Sequence, residues 1–367
     1  MKIPLVDLKA NYLYIKSEID SAIQTVIDKT AFVGGDELRS FEKNWSEKCN
    51  AKYCTGVANG TSSLEVILRA LEIGADDEVI CPSHTFAATA EAILMVGAKP
   101  IFSEVHDNTA LIDPISVEKL ITKKTKAIII VDLYGQPADF YASNKLVENK
   151  NITVIQDAAQ SHLAKYKGRT VGSYAEVTSF SFYPGKNLGA FGDAGAIVTN
   201  NEELHNKMKM ISNHGRISKY EHQIPGGNLR MDNLQAAILD VKQKYLPEWT
   251  EKRRTAIVKY RESLSDLVEF VYEDENCEAV YHLAVIRTEK RDELLKYLND
   301  NGIGAGIHYP IPLHLQPVFK YLGYKIGDFP ISEKIASEII SLPMFPEITN
   351  EQIEYIIGKV KEFFGKS

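Results

Sequence analysis

The segment Lys126-Ala127-Ile128-Ile129-Ile130-Val131 is an unbroken apolar run after its lysine. Such a run reads as a strand buried on both faces, which needs layers of structure above and below it. Its surroundings supply them. Residues 53–58, 78–81, 152–156 and 194–199 read as further strands, with helical signals between. One helix carries Leu64, Ile67, Leu68 and Leu71 on a single face, and Ser62 with Glu65 fits a capping box at its start. Alternating strand and helix signals over roughly residues 50–200 predict a mostly parallel sheet covered by helices, an α/β fold.

The pattern changes around residues 232–262. Asp232-Asn233-Leu234-Gln235-Ala236-Ala237-Ile238-Leu239 opens a long helical stretch, interrupted near Pro247. The 367 residues fit about two domains. We place the division near 240, with a large domain over 1–240 and a smaller α+β domain over 241–367. In the latter, 280–286 reads as a strand and 292–301 as a helix closed by Gly302. A terminal helix carries Ile353, Ile356, Ile357, Val360 and Phe364, with Thr349 and Gln352 as its capping box.

Charge and composition narrow the function. The net charge is −7, so no basic footprint for nucleic acid exists. An anionic ligand would need a local positive site. No apolar run reaches the ~18 residues of a membrane span, and the N-terminus lacks the apolar core of a signal peptide. Cys49, Cys54, Cys81 and Cys277 show no CxxC pairing, which fits a reducing cytoplasm. The nine histidines show no ligand spacing, so no metal site is expected.

The run Ser179-Phe180-Ser181-Phe182-Tyr183-Pro184-Gly185-Lys186-Asn187-Leu188-Gly189-Ala190 carries the chemistry. Its first half alternates like a half-buried strand, and Pro184-Gly185 stops it. Lys186 stands just after that stop. A partly desolvated amine has a lowered pKa, and its neutral form attacks carbonyls to give a Schiff base. Taken alone, Lys186 reads as a surface charge. Asp157 ends the strand 152–156, where ligands of parallel sheets bind. It suits the partner of a protonated ring nitrogen such as that of pyridoxal phosphate (PLP), and equally a helix N-cap. Gly60-Thr61-Ser62-Ser63 opens a helix and offers an anion site for a phosphate monoester, or ordinary capping. Ser181 adds a second phosphate contact or is a polar strand face. Phe86, in a loop after 78–81, lies flat on an aromatic cofactor or is a core residue. Together, these elements read as a PLP site on an α/β domain.

At this point the sequence resembles the DegT/DnrJ/EryC1/StrS sugar aminotransferases over nearly its whole length. The likeness runs through Pro4-Leu5-Val6-Asp7-Leu8, Asn59-Gly60-Thr61, His84-Thr85-Phe86, Leu133-Tyr134-Gly135-Gln136, Gln156-Asp157-Ala158-Ala159-Gln160-Ser161-His162 and the Lys186 loop. It continues in Asn213-His214-Gly215-Arg216, Gly227-Asn228-Leu229-Arg230-Met231-Asp232, Gly306-Ile307-His308-Tyr309-Pro310 and Ser341-Leu342-Pro343. The resemblance implies the aspartate-aminotransferase-like fold of PLP enzymes, fold type I, and transamination of a nucleotide-linked keto sugar by L-glutamate.

It also implies roles. Lys186 would bond the cofactor and move protons, and Asp157 would pair with its ring nitrogen. Gln160 would contact the ring or its hydroxyl, and Phe86 would stack on the other face. Gly60, Thr61 and Ser181 would hold the phosphate, and Asn228 would reach it in a neighbouring subunit. That describes a homodimer with shared active sites. His308 and Tyr309 would lie near the sugar nucleotide. Tyr183, Arg216, Tyr220 and Arg230 are weaker candidates for the substrate side. The Lys186 loop and His308-Tyr309-Pro310-Ile311-Pro312 look most like enzymes aminating C3 of dTDP-linked 3-keto-6-deoxyhexoses. A 4-keto sugar aminotransferase and a non-catalytic PLP-binding regulator are the alternatives. The family's dehydratases carry histidine where this chain has Lys186. Three departures stand out: Leu163 and Ala194 where glycine is common, and Ala284 where an aromatic is usual.

Overall fold

A computed structural model of the protein describes residues 1–366. Nine strands precede residue 200: β1 (Tyr53–Val57), β2 (Glu78–Pro82), β3 (Lys99–Ser103), β4 (Thr125–Val131), β5 (Thr153–Asp157), β6 (Lys165–Tyr166), β7 (Arg169–Thr170), β8 (Val177–Ser181) and β9 (Gly195–Thr199). Seven form one sheet in the order β1-β9-β8-β5-β4-β2-β3. Only β9 runs against its neighbours. The sheet is therefore mostly parallel, as the alternation of strands and helices predicts.

β4 lies inside this sheet, and Ile128, Ile129 and Ile130 are fully buried. Burying each contributes about 1.5–3 kcal/mol. β8 departs from its expected half-buried pattern. Both of its faces are covered, and it ends at Ser181 rather than running to Tyr183. The hydroxyl positions are tolerated inside because they find partners. Ser179 bonds Ser63 from the covering helix, and Thr178 donates to Gln156 at 3.4 Å. The face that Thr178 shares packs Phe180 with Phe182 beside Trp45 and Phe41.

The helix Gly60–Ala70 starts three residues before the expected capping box. Its N-cap is Asn59, whose side chain accepts from the Ser62 N–H at 2.8 Å. Asparagine in extended backbone is as good a cap as serine, and it comes first in the chain. Glu65 turns outward and pairs with Arg69 one helical turn on. The terminal helix Asn350–Phe363 does carry its expected capping box between Thr349 and Gln352.

Beyond residue 264 the chain adds β10 (Glu269–Phe270), β11 (Cys277–Glu278), β12 (Ala284–Arg287) and β13 (Ile339–Leu342). β10, β12 and β13 form an antiparallel sheet. The helices Leu246–Leu264, Arg291–Asp300 and Asn350–Phe363 share one core with it, through Tyr260, Leu264, Leu294, Leu298, Ile353 and Ile356. The strand expected over 280–286 begins only at Ala284. Tyr281 has φ +44°, which no strand accommodates. Residues 280–283 are instead a bend leading to the carboxyl edge of the large sheet. Residue 240 falls within the helix Asn233–Lys242. The helical stretch breaks just after it, and Pro247 sits in the first turn of the next helix, where its missing N–H costs nothing.

Candidate active site

Strand register brings the chemical residues to one edge. Val57 at the end of β1 faces Gly195, and Gly195 faces Ser181 at the end of β8. Asp157 at the end of β5 lies beside Ser179 of β8 and Val131 of β4. Because β9 is reversed, its start shares this edge. The edge therefore gathers the Gly60 helix start, Ser181, Asp157 and the Lys186 loop.

The loop after β8 is tightly wound. Phe182 N–H donates to Ala194 O, Ala190 N–H to Phe182 O, and Lys186 N–H to Tyr183 O, each at 2.8 Å. A Cβ on Gly189 would stand 2.2 Å from the carbonyl oxygen of Pro184, so only glycine fits there. Asn187 ties the loop to the 280–283 bend. Its amide donates to Val280 O at 2.9 Å, and its oxygen lies 3.3 Å from His282 Nδ1. Lys242 donates to Gly189 O at 2.5 Å.

Lys186 keeps part of its surface open, yet sits in dense protein. Burial lowers its pKa to about 8, partly offset by the Asp157 carboxylate. Asp157 is buried, and burial raises its pKa. Thr89 donates to one of its oxygens at 3.1 Å and Ala159 N–H to the other at 3.2 Å. These neutral donors leave a buried carboxylate suited to a cationic partner. Burial also holds His84 and His308 to about 4 and His162 to about 3, so all three are neutral at pH 7.

The helix start leaves backbone donors free. The Ser62 N–H is taken by Asn59, whereas Gly60 and Thr61 N–H have no acceptor among the described residues. A Cβ on Gly60 would stand 2.7 Å from Ser181 Cβ, so the absent side chain keeps the two segments together. The Ser181 hydroxyl accepts from Tyr183 N–H at 3.4 Å and keeps its proton for another acceptor. His162 Nε2 donates to the Ser181 carbonyl at 3.0 Å and holds it from below. Two free N–H groups, a hydroxyl and a helix dipole fit a phosphate. An amine, a carboxylate and a phosphate cradle fit PLP.

Residues 13–361 match the model of the DegT/DnrJ/EryC1/StrS aminotransferase family. The chain belongs to this family. A relative from Geobacillus stearothermophilus named pleiotropic regulatory protein is 44% identical, covering 99% of each chain. The dTDP-3-amino-3,6-dideoxy-alpha-D-galactopyranose transaminase of Aneurinibacillus thermoaerophilus is 41% identical, covering 98% of this chain and 99% of its own. Among solved structures, S. venezuelae DesV in complex with a ketimine intermediate matches with a TM-score of 0.98. It is 38% identical and covers 100% of this chain and 99% of its own. The fold is thus that of the PLP-dependent aminotransferases.

Other residues named in the family resemblance fall into two groups in this aminotransferase. Gln160 is buried, and its amide donates to Tyr309 OH at 3.3 Å. Phe86 is 55% exposed rather than in the core, with its ring 5.5 Å from that of Tyr309. His308 lies 2.9 Å from Ser341 Oγ of β13. Tyr183 is exposed three residues before Lys186. These gather around the Lys186 edge. Arg230 pairs with Val57 at the same edge and donates to Asn213 at 2.8 Å. Arg216 and Tyr220 do not join them: they lie on the excursion between His214 and Gly227, where Tyr220 is 82% exposed. Asn228 is exposed at the base of that excursion, bridged to Asn213.

Reading the sequence missed Thr89, Asn187, His282 and Lys242. Asn187 carried a signal as the neighbour of Lys186, and Thr89 as a hydroxyl three residues after Phe86. Leu163 has φ +62°, the left-handed conformation that explains why glycine is common there.

Proposed function

We propose that this protein transfers the amino group of L-glutamate to C3 of a dTDP-linked 3-keto-6-deoxyhexose, with PLP as cofactor. The observation that carries the reading is a desolvated Lys186 amine and the buried carboxylate of Asp157 brought to one strand-end edge. The name of the Aneurinibacillus relative supports C3 and the dTDP-linked sugar.

Gly60, Thr61 and Ser181 would hold the cofactor phosphate, and Asn228 would reach it from a second copy in a homodimer with shared sites. Asp157 would keep the ring nitrogen protonated, with Gln160 and Phe86 on the ring. When bound, PLP supplies an electron sink for the pair left by a broken C–H bond. Lys186 would hold the cofactor, and its Nζ would take the α-proton of the amino donor. A pKa near 8 leaves roughly a tenth of the amine neutral at pH 7, against almost none for an unperturbed lysine. His308 and Tyr309 would face the sugar nucleotide, with Tyr183 and Arg230 beside it. Arg216 and Tyr220 stand off this protomer's site and would serve a partner's. Two substrates using one site in turn predict ping-pong kinetics.

The name of the Geobacillus relative favours a second reading, a PLP-binding regulator. Cofactor absorbance separates the two. A catalyst loaded with PLP loses the band on adding L-glutamate and regains it on adding the keto sugar nucleotide. A regulator keeps its band throughout, and that result would overturn the proposal.

A further inference from the structure

Tyr134 has no part in the reading above, yet three segments of the site meet on it. It is buried, with φ +63°, an uncommon conformation for a bulky residue that marks a position held by its surroundings. Its hydroxyl donates to the His308 carbonyl at 2.7 Å. A carbonyl only accepts, so the single hydroxyl proton is committed there. His84 Nε2 lies 2.8 Å from the same hydroxyl and must therefore be the donor in that contact. The neutral ring then has its lone pair on Nδ1, which has no partner among the described residues. The direction is fixed: His84 donates to Tyr134, and Tyr134 donates to His308.

The Tyr134 backbone N–H donates to Gln160 Oε1 at 2.6 Å. This sets the amide so that its nitrogen faces Tyr309 OH. Tyr309 in turn packs on Phe86. His308 is held on its other side by Ser341 of β13. Tyr134 thus stands between the carboxyl edge of the large sheet and the segment that ends against the smaller one.

We infer that Tyr134 is a positioning residue whose hydroxyl fixes the His308–Tyr309 segment for the keto-sugar substrate. This rests on the proposed function for the identity of that substrate. Tyr134→Phe keeps the ring and the backbone N–H and removes only the hydroxyl. It strands the His84 donor and frees the His308 carbonyl.

Two measurements on Tyr134→Phe test this. In the cofactor-free protein, amide hydrogen exchange should quicken across residues 306–313 and stay unchanged in β4. In the loaded enzyme, KM for the keto sugar nucleotide should rise about ten-fold, with kcat within about three-fold, as expected for one lost hydrogen bond in substrate placement. Unchanged exchange in 306–313 would overturn the inference. So would a fall in kcat with KM unmoved, or faster exchange spread across the whole sheet. If the wild-type protein is inert toward every keto sugar nucleotide, the proposed function fails. The exchange comparison then still decides whether the hydroxyl fixes the segment.

Discussion

The buried Lys242 reaches the carbonyl oxygen of Gly189 at 2.5 Å. The loop is the one that carries Lys186. The same ammonium lies 5.4 Å from the ring of Phe191 and 5.8 Å from that of Trp249. Burial lowers its pKa to about 8, with Glu347 pulling upward. Lys242→Met should leave stability nearly unchanged, because a costly buried cation is replaced by an apolar chain of similar length. It should lower kcat about ten-fold by freeing the loop. Thermal melting alongside steady-state kinetics checks both. A large fall in melting temperature would assign Lys242 to stability instead.

Lys186 should make the cofactor-free protein less stable than it could be. Its folded pKa of about 8 lies below its ordinary value of 10.5, so the unfolded chain binds more protons between those values. Stability therefore rises with pH across that window. Lys186→Met should be more stable than wild type at pH 7, by about 3 kcal/mol. The difference should shrink from pH 8 upward and vanish above about 10.5. Denaturant unfolding at several pH values measures it. A difference independent of pH would contradict the buried-amine account.

Asp157→Asn removes the charge and keeps the shape. The Ala159 N–H bond can persist, while the ring nitrogen loses its counter-charge. Cofactor should still bind, and turnover should fall at least about a hundred-fold, within the range for lost acid–base or electrostatic assistance. Single-turnover rates with L-glutamate give the answer. Near-normal turnover would remove Asp157 from the mechanism.

Gly60→Ala places a methyl 2.7 Å from Ser181 Cβ. Overpacking of this kind costs about 1–3 kcal/mol. The clash falls on the proposed phosphate cradle, so cofactor affinity should drop by about ten-fold or more. A spectral titration with PLP tests this. Unchanged affinity would place the phosphate elsewhere.

Much of the fold was legible because its signals are local. β4 announced itself by continuous apolarity, and the terminal helix by period and capping box. Lys186 was legible because Pro184-Gly185 breaks the strand pattern just before it, and Asp157 because it ends a strand. Asn59 was missed because two good caps stood three residues apart, and only packing chose between them. The burial of Ser179 in β8 was hidden because a serine reads as solvent-facing until Ser63 supplies its partner across the fold. Residues 280–283 look like strand, but Tyr281 turns into the left-handed region to meet the site. Tyr134 and Lys242 act through contacts far apart in sequence, which no local pattern encodes.

The most direct test follows the transferred nitrogen. The PLP-loaded protein would be given nitrogen-labelled L-glutamate with dTDP-linked 3-keto and 4-keto 6-deoxysugars separately, and the label located in the sugar by NMR. The account predicts label on C3 of the 3-keto sugar and none on the 4-keto sugar. Label on C4 alone, or in neither product, would contradict it.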